Sequence, residues 1–317
     1  MTATGARVFV TGATGVVGRR LVPLLAAAGH RVSAVGRTAE KRELLTRLGA
    51  TPVDVDLFDA AALRRAVAGH DVVVNLATHI PPSSRVVLPG AWRENDRLRR
   101  VAAAHVAEAA AAGGAERLVQ ESFAPIYEDR GDEWIDEGTP VRPVRYNRTV
   151  LDAEAAAERF GRGGRAAVVL RFAYFYGPDG DFTRQIIRLV RKGWAPVLGS
   201  PRGFISSVSH DDAASAVAAA LGVPAGVYNI VDDEPLRRRE FVDVLAAALG
   251  VAPPRLPPPW VARLAGSMGE LLARSLRISN RKLRDASGWA PRYPSVREGW
   301  RAVVGAPPAP PGAANRR

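Results

Sequence analysis

Apolar residues recur along this chain in two alternating textures. Short continuous runs rich in Val, Leu and Ile lie at Arg7 to Val10, Arg31 to Val35, Thr51 to Val55, Val72 to Leu76, Arg117 to Gln120 and Ala167 to Leu170. Between them, apolar positions follow the helical period. Strands that are apolar throughout, rather than at every second residue, are those of a parallel sheet covered on both faces. Alternation of such strands with helices predicts a Rossmann-type, doubly wound α/β domain. Two Ala-rich helices, Arg93 to Ala112 and Asn147 to Phe160, are expected to layer against it.

The texture changes after Gly177-Pro178, and we place the boundary of the nucleotide-binding domain there, at 1–177. Residues 178–304 are expected to form a smaller, mainly helical lobe. Its predicted helices are Thr183 to Lys192, Asp211 to Leu221, Leu236 to Leu249, Val261 to Leu276 and Asn280 to Ser287, with prolines between Pro253 and Pro259 as a stiff connector. A short strand, Val227 to Ile230, could return to the sheet. The Pro-, Ala- and Gly-rich tail 305–317 is expected to be disordered.

Composition narrows the function. Of 317 residues 47% are hydrophobic and 24% charged, the balance of a water-soluble globular protein, and no apolar stretch reaches the roughly 20 residues of a membrane span. A strand starting near Ala6 leaves no room for a secretory leader, so the expected compartment is the cytoplasm, with no membrane partner. Zero cysteines and five scattered histidines exclude thiolate ligation and give no metal-binding cluster. The net charge of +12 comes from arginines spread over most helices, without a basic stripe interleaved with aromatics, so no nucleic-acid partner is expected.

The most specific signal is Val8-Phe9-Val10-Thr11-Gly12-Ala13-Thr14-Gly15-Val16-Val17-Gly18, a strand passing through three glycines into an apolar helix. Gly12 permits the tight turn, Gly15 lets backbone approach phosphate oxygens, and Gly18 allows the helix to pack closely on its strand. The helix N-terminus then faces a dinucleotide pyrophosphate. At the end of the second strand, Val35-Gly36-Arg37-Thr38 carries no acid for a ribose 2′-hydroxyl. Arg37 can offer its donors to a 2′-phosphate, which favours NADP(H) over NAD(H).

Together with Asp56-Leu57-Phe58-Asp59, Val73 to Thr78, Leu170 to Pro178, Ser209 to Ala214 and Gly226 to Pro235, this motif resembles the extended short-chain dehydrogenase/reductase superfamily, also called the NAD-dependent epimerase/dehydratase family. The resemblance extends to about residue 304. It implies cofactor contacts from Thr11, Gly12, Thr14, Gly15, Val16, Val17 and Gly18, from Arg37, from Asp56 and Leu57 at the adenine, and from Leu76, Ala77 and Thr78 under the ribose. It also implies a catalytic tyrosine followed four residues later by lysine. Here Tyr146 matches the tyrosine, also as a cofactor contact, while Val150 takes the lysine's place. Arg148 points to another helix face. The family's serine position falls on Phe123, with Ser122 as its neighbour.

A tyrosine without an adjacent cation stays protonated, a poor base but a usable acid. Hence the leading expectation is reduction of a carbonyl or activated double bond of a small molecule by NADPH, with Tyr146 as proton donor and Ser122 polarising the oxygen. A non-redox enzyme (dehydratase, isomerase or cyclase) and a non-catalytic NADP(H) sensor remain the alternatives. His79, Glu121, Tyr127, Tyr174 and Tyr176 are candidates for the substrate pocket, with Trp134 as a further aromatic, and Glu121 could serve as a base. Asn95, His210 and Asp212 are read as structural, and Arg202 as a weak candidate for a diphosphate. Family members pair through two long helices, so a homodimer through 93–112 and 147–160 is an expectation.

Overall fold

The computed structural model describes residues 5–305 except 83, 84, 87 and 89. Its centre is a seven-stranded sheet of β1 (Arg7–Thr11), β2 (Arg31–Val35), β3 (Thr51–Val53), β4 (Val72–Asn75), β5 (Arg117–Phe123), β6 (Ala166–Phe172) and β7 (Gly226–Ile230). The order is β3-β2-β1-β4-β5-β6-β7, parallel throughout. Chain direction across the sheet reverses between β1 and β4, so the crevice beyond their carboxyl ends is the topological switch point where ligands bind in such sheets. Val8 pairs with Val32 on one side and Val72 on the other, and helices pack on both faces of the sheet, which is why these strands are apolar throughout.

One face of the sheet is covered by α1 (Gly18–Ala27) and by the helix His210–Ala220, with Leu21, Val22, Leu25, Ala213 and Val217 in the shared core. The other face carries α2 (Ala60–Val67), α3 (93–112) and α4 (Val150–Gly161). Alanines at 103, 107, 110, 153, 156 and 157 sit against this face, and their small side chains let α3 and α4 lie close to the sheet and to each other. Helix α3 is not uniform: Leu98–Ala102 forms a π turn inside it.

The predicted boundary at 177 needs correction. The helix His210–Ala220 and strand β7 return to the sheet, β7 pairing with β6 from Gly226 to Ile230, so the lobe is built from 178–209 and 231–305. Chain that leaves the sheet at β6 regains a partner for β6's free edge, and edge pairing outweighs sequence contiguity. Within the lobe, Ile186, Val190, Leu236, Phe241, Leu245 and Trp300 form a separate core. Trp300 lies on a helix, Val296–Gly305, that the apolar pattern did not reveal. Of the tail expected at 305–317, everything from 306 lies outside the described residues. Among the described residues no helix is long and apolar enough to cross a membrane, and no cluster of His, Asp or Glu could hold a metal.

Candidate active site

The glycine turn at the end of β1 is shaped by what a side chain would strike. Gly12 has φ +67°, and a Cβ there would lie 2.3 Å from the Leu76 carbonyl oxygen; one on Gly18 would lie 2.4 Å from the Gly12 oxygen. At Gly15, by contrast, a Cβ would meet only the Gly12 oxygen, at 3.2 Å, and Gly15 is exposed. Two glycines are thus required by the protein's own packing, while the third leaves an open backbone face. Helix α1 begins directly afterwards without a side-chain cap, so its N-terminal dipole is available to an anion. Thr11 is buried and donates to Asn75 Oδ1 at 2.5 Å, tying the ends of β1 and β4 together.

The other expected cofactor residues border the same crevice. Leu76, Ala77 and Thr78 leave β4, with Asn75 Oδ1 accepting from the Ala77 amide at 3.3 Å. Asp56 is exposed and its Oδ1 accepts from the Phe58 amide at 3.0 Å, shaping the turn that buries Leu57. Arg37 is exposed at the end of β2 and has no ion pair among the described residues, whereas Arg42 nearby pairs with Asp54 at 2.7 Å. Arg19 and Arg20 at the start of α1 are held by Asp179, which also accepts from His210 at 2.8 Å. Burial works against the Asp179 charge, but His210 and Arg20 prevail and hold its carboxyl well below the usual range. These residues fit a nicotinamide dinucleotide: an open glycine backbone, an uncapped helix start, and a free guanidinium at the second strand.

Tyr146 stands on a short turn, Arg145–Asn147, fixed by the Asn147 side chain, whose Oδ1 accepts from the Val144 amide at 2.9 Å. Its surroundings are apolar: Val144, Met268, Leu271 and Leu272, with Phe123 and Trp92. The Trp92 ring meets the phenol edge-on at 4.2 Å between centroids. Burial drives the Tyr146 phenol far above its ordinary range; Arg99 opposes this, while Tyr174 and Asp96 add to it. Tyr174 lies edge-to-face with Phe123 at 6.0 Å, its hydroxyl buried without a hydrogen-bond partner among the described residues, and burial pushes it up to about 12. His79 is exposed on the loop after β4, its amide donating to Asn95 Oδ1 at 3.0 Å.

Several expected site residues are turned elsewhere. Ser122 is fully buried and donates to Glu154 Oε1 at 2.5 Å; Glu154 is in turn gripped by Arg171 at 2.7 and 2.8 Å, so the Ser122 hydroxyl proton is directed at α4 rather than into an open cleft. Glu121 is ion-paired with Arg99 at 3.4 Å rather than free as a base or pocket wall, and burial raises its carboxyl. Tyr127 is fully buried, donating to Asn229 Oδ1 at 2.8 Å and accepting from Arg171 at 2.9 Å. Tyr176 is buried in the lobe core against Trp300, 5.2 Å between centroids. Trp134 is exposed under the Arg277 guanidinium at 4.2 Å. Val150 is fully buried and Arg148 exposed, so α4 brings no cation to Tyr146.

Sequence reasoning missed Trp92 and Arg99. Arg99 is read as one of several helix arginines, but it lies on the buried face of α3, four residues after buried Asn95 and within the π turn.

A family model described as NAD(P)H-binding matches residues 12–224. The chain belongs to this NAD(P)H-binding family, within the extended short-chain dehydrogenase/reductases. It is 36% identical over 304 residues to a 3-diazoavenalumate denitrifying reductase from Streptomyces sp, covering 92% of this chain and 98% of the relative. It is also 30% identical to a 4-hydroxy-2-methyl-3-oxo-4-farnesyl-3,4-dihydroquinoline-1-oxide ketoreductase from Stigmatella aurantiaca, covering 85% and 81%. The human epimerase family protein SDR39U1 (isoform2), solved with NADPH, shares the fold at a TM-score of 0.78 and 22% identity, covering 94% and 99%. The protein is an NAD(P)-dependent enzyme of the oxidoreductase and epimerase class.

Proposed function

We propose that the protein is a cytosolic, NADPH-preferring reductase of a small, flat organic molecule, in which Tyr146 donates a hydrogen bond and then its proton to the substrate. One observation carries this reading: the Tyr146 phenol is packed among Trp92, Phe123, Val144, Met268 and Leu271 and is driven above its ordinary range, so it is protonated at neutral pH. A protonated phenol cannot start an oxidation by removing a hydroxyl proton, but it can protonate a developing alkoxide. The glycine turn would hold the pyrophosphate of the dinucleotide, whose nicotinamide would supply the hydride. Arg37 would hold the 2′-phosphate, and the aromatic wall of Trp92 and Phe123 would accept a flat ring rather than a nucleotide sugar. The reading includes pairing of two copies through α3 and α4.

A second reading concerns the hydride acceptor. Ser122 is committed to Glu154, and Val150 is apolar, so the side chains around Tyr146 offer no proton relay beyond the phenol itself. An aryl diazonium that gains a hydride releases N2 and becomes the arene, with no proton required from the protein. The name of the Streptomyces relative makes such a diazo compound a natural acceptor to assay.

Loss of NADPH absorbance with aromatic ketones and with aryl diazonium salts tests both readings. For a carbonyl substrate, Tyr146→Phe is expected to lower kcat by about 10²–10⁴-fold; for a diazonium it should leave kcat nearly unchanged. Full carbonyl turnover by Tyr146→Phe would remove the first reading. Tight NADPH binding without consumption of either acceptor class would favour the sensor or non-redox alternatives.

A further inference from the structure

Arg99 and Arg171 are both buried cations, yet they are satisfied very differently. Arg171 makes a two-pronged contact with Glu154, at 2.8 and 2.7 Å, and a third bond to the Tyr127 hydroxyl. Arg99 is 5% exposed, but among the described residues it makes one long hydrogen bond, 3.4 Å from Nη2 to Glu121 Oε1, and its Nε is buried with no partner. Asn95, one turn earlier on the same buried face of α3, likewise has a buried Nδ2 without a partner. Charge-assisted pairs between guanidinium and carboxylate normally close to about 2.7–2.9 Å. The single long contact therefore leaves Arg99 with a buried Nε–H that no described residue accepts.

Packing sets Arg99 beside Tyr146: its partner Glu121 lies two residues before Phe123, which packs in one cluster with Tyr146, and Trp92, seven residues before Arg99, meets the phenol ring at 4.2 Å. Arg99 is the foremost charge acting on the phenol and the one that favours its ionised form; Asp96, whose Oδ1 accepts from Thr149 at 2.9 Å, opposes it more weakly. Nothing on the segment after Tyr146 does the same, since Val150 is apolar and Arg148 is exposed. Arg99 shares the buried face of α3 with Asn95, four residues earlier, and lies in the π turn Leu98–Ala102; such turns commonly mark functional positions in helices.

We propose that Arg99 is the positioning residue for proton transfer, its guanidinium on α3 holding the negative charge left on the Tyr146 oxygen. In this step hydride bonds to the carbonyl carbon and the C=O π pair moves to oxygen, the phenolic O–H bond breaks, its proton bonds to that oxygen, and the phenolate regains a proton from water. Glu121 limits the effect by partly neutralising Arg99. The proposal rests on the reading of Tyr146 as proton donor, but its test does not need a substrate.

A polyfluorinated tyrosine at position 146, whose phenol ionises several units lower than tyrosine, makes the titration readable by fluorine NMR. Glu121→Gln alone, which leaves Arg99 in place, is expected to lower the midpoint. In that background Arg99→Met should raise it by about 1–2 units, and Arg99→Lys should recover at least half of the shift. Circular dichroism identifies any variant that fails to fold, and the Glu121→Gln comparison then decides alone. A Met variant within about 0.3 units of its parent, an equal shift from Lys and Met, or no downward shift from Glu121→Gln would each overturn the proposal. Absence of reductase turnover with a normal fluorine titration would instead count against the proposed function.

Discussion

Gly15 and Gly12 sit three residues apart, and the structure predicts opposite consequences for the same substitution. At Gly12 an alanine would be held at φ +67°, costing about 1–2 kcal/mol, and its Cβ would lie 2.3 Å from the Leu76 oxygen. Relieving that overlap separates β1 from β4, so Gly12→Ala should destabilise by about 2–4 kcal/mol in total. At roughly 2–4 °C per kcal/mol this lowers Tm by about 5–15 °C. Gly15→Ala strains nothing comparable: its Cβ meets one oxygen at 3.2 Å and the backbone is not left-handed. Its Tm should stay within about 2 °C of the parent. The methyl group instead occupies the face that phosphate oxygens approach, and losing one charge-assisted hydrogen bond costs about 1.5–3 kcal/mol, or roughly 10- to 150-fold in Kd. Differential scanning fluorimetry and calorimetric titration with NADPH read the two effects separately. If Gly15→Ala binds NADPH within about threefold of the parent at unchanged Tm, the open face is not the pyrophosphate site.

Three further outcomes are expected. If Arg37 holds the 2′-phosphate as proposed, Arg37→Ala should weaken NADPH by roughly 10-fold or more while leaving NADH within about threefold, since the guanidinium is exposed and has no ion pair among the described residues; parallel titrations of the two cofactors check this. Glu154→Ala leaves Arg171 buried and unpaired and should cost about 3–5 kcal/mol by chemical denaturation, much of it recovered in the double variant Glu154→Leu with Arg171→Met. Asp232 is fully buried, Oδ1 without a partner, and burial pushes its carboxyl well above the ordinary value. The native state then binds more protons than the unfolded chain, so this group's contribution is complete below the unfolded pKa and is lost as pH rises towards the folded one. Asp232→Asn should therefore gain Tm over the parent as pH increases from acid to neutral, and a constant difference across that range would refute the assignment.

Much of the fold was legible because its signals are local. Continuous Val and Leu runs, three glycines at fixed spacing and Ala-rich helices each reflect what neighbouring residues need from one another. A return of the strand at 227–230 was open from the sequence, but the packing of the helix His210–Ala220 on the sheet and the helix Val296–Gly305 were harder to read, since both depend on distant partners: α1 and the sheet core, and the Tyr176 and Phe241 rings that receive Trp300. At the site, Tyr146 is proposed from its motif position and Arg37 from the absence of an acid at the end of β2. Ser122 is expected from its place beside the family's serine position, and Tyr127 and Tyr176 as aromatics near strand ends, but tertiary packing aims them at Glu154, Asn229 and Trp300.

By itself the sequence determined that a parallel sheet would form and where a dinucleotide's phosphates would meet it, because backbone freedom at glycine and side-chain packing within a strand act over a few residues. It also determined that no lysine follows Tyr146. Only the tertiary structure decided which charge faces that phenol. Arg99 acts on it from another helix, and the electrostatic neighbours of a half-buried group are set by how distant elements pack.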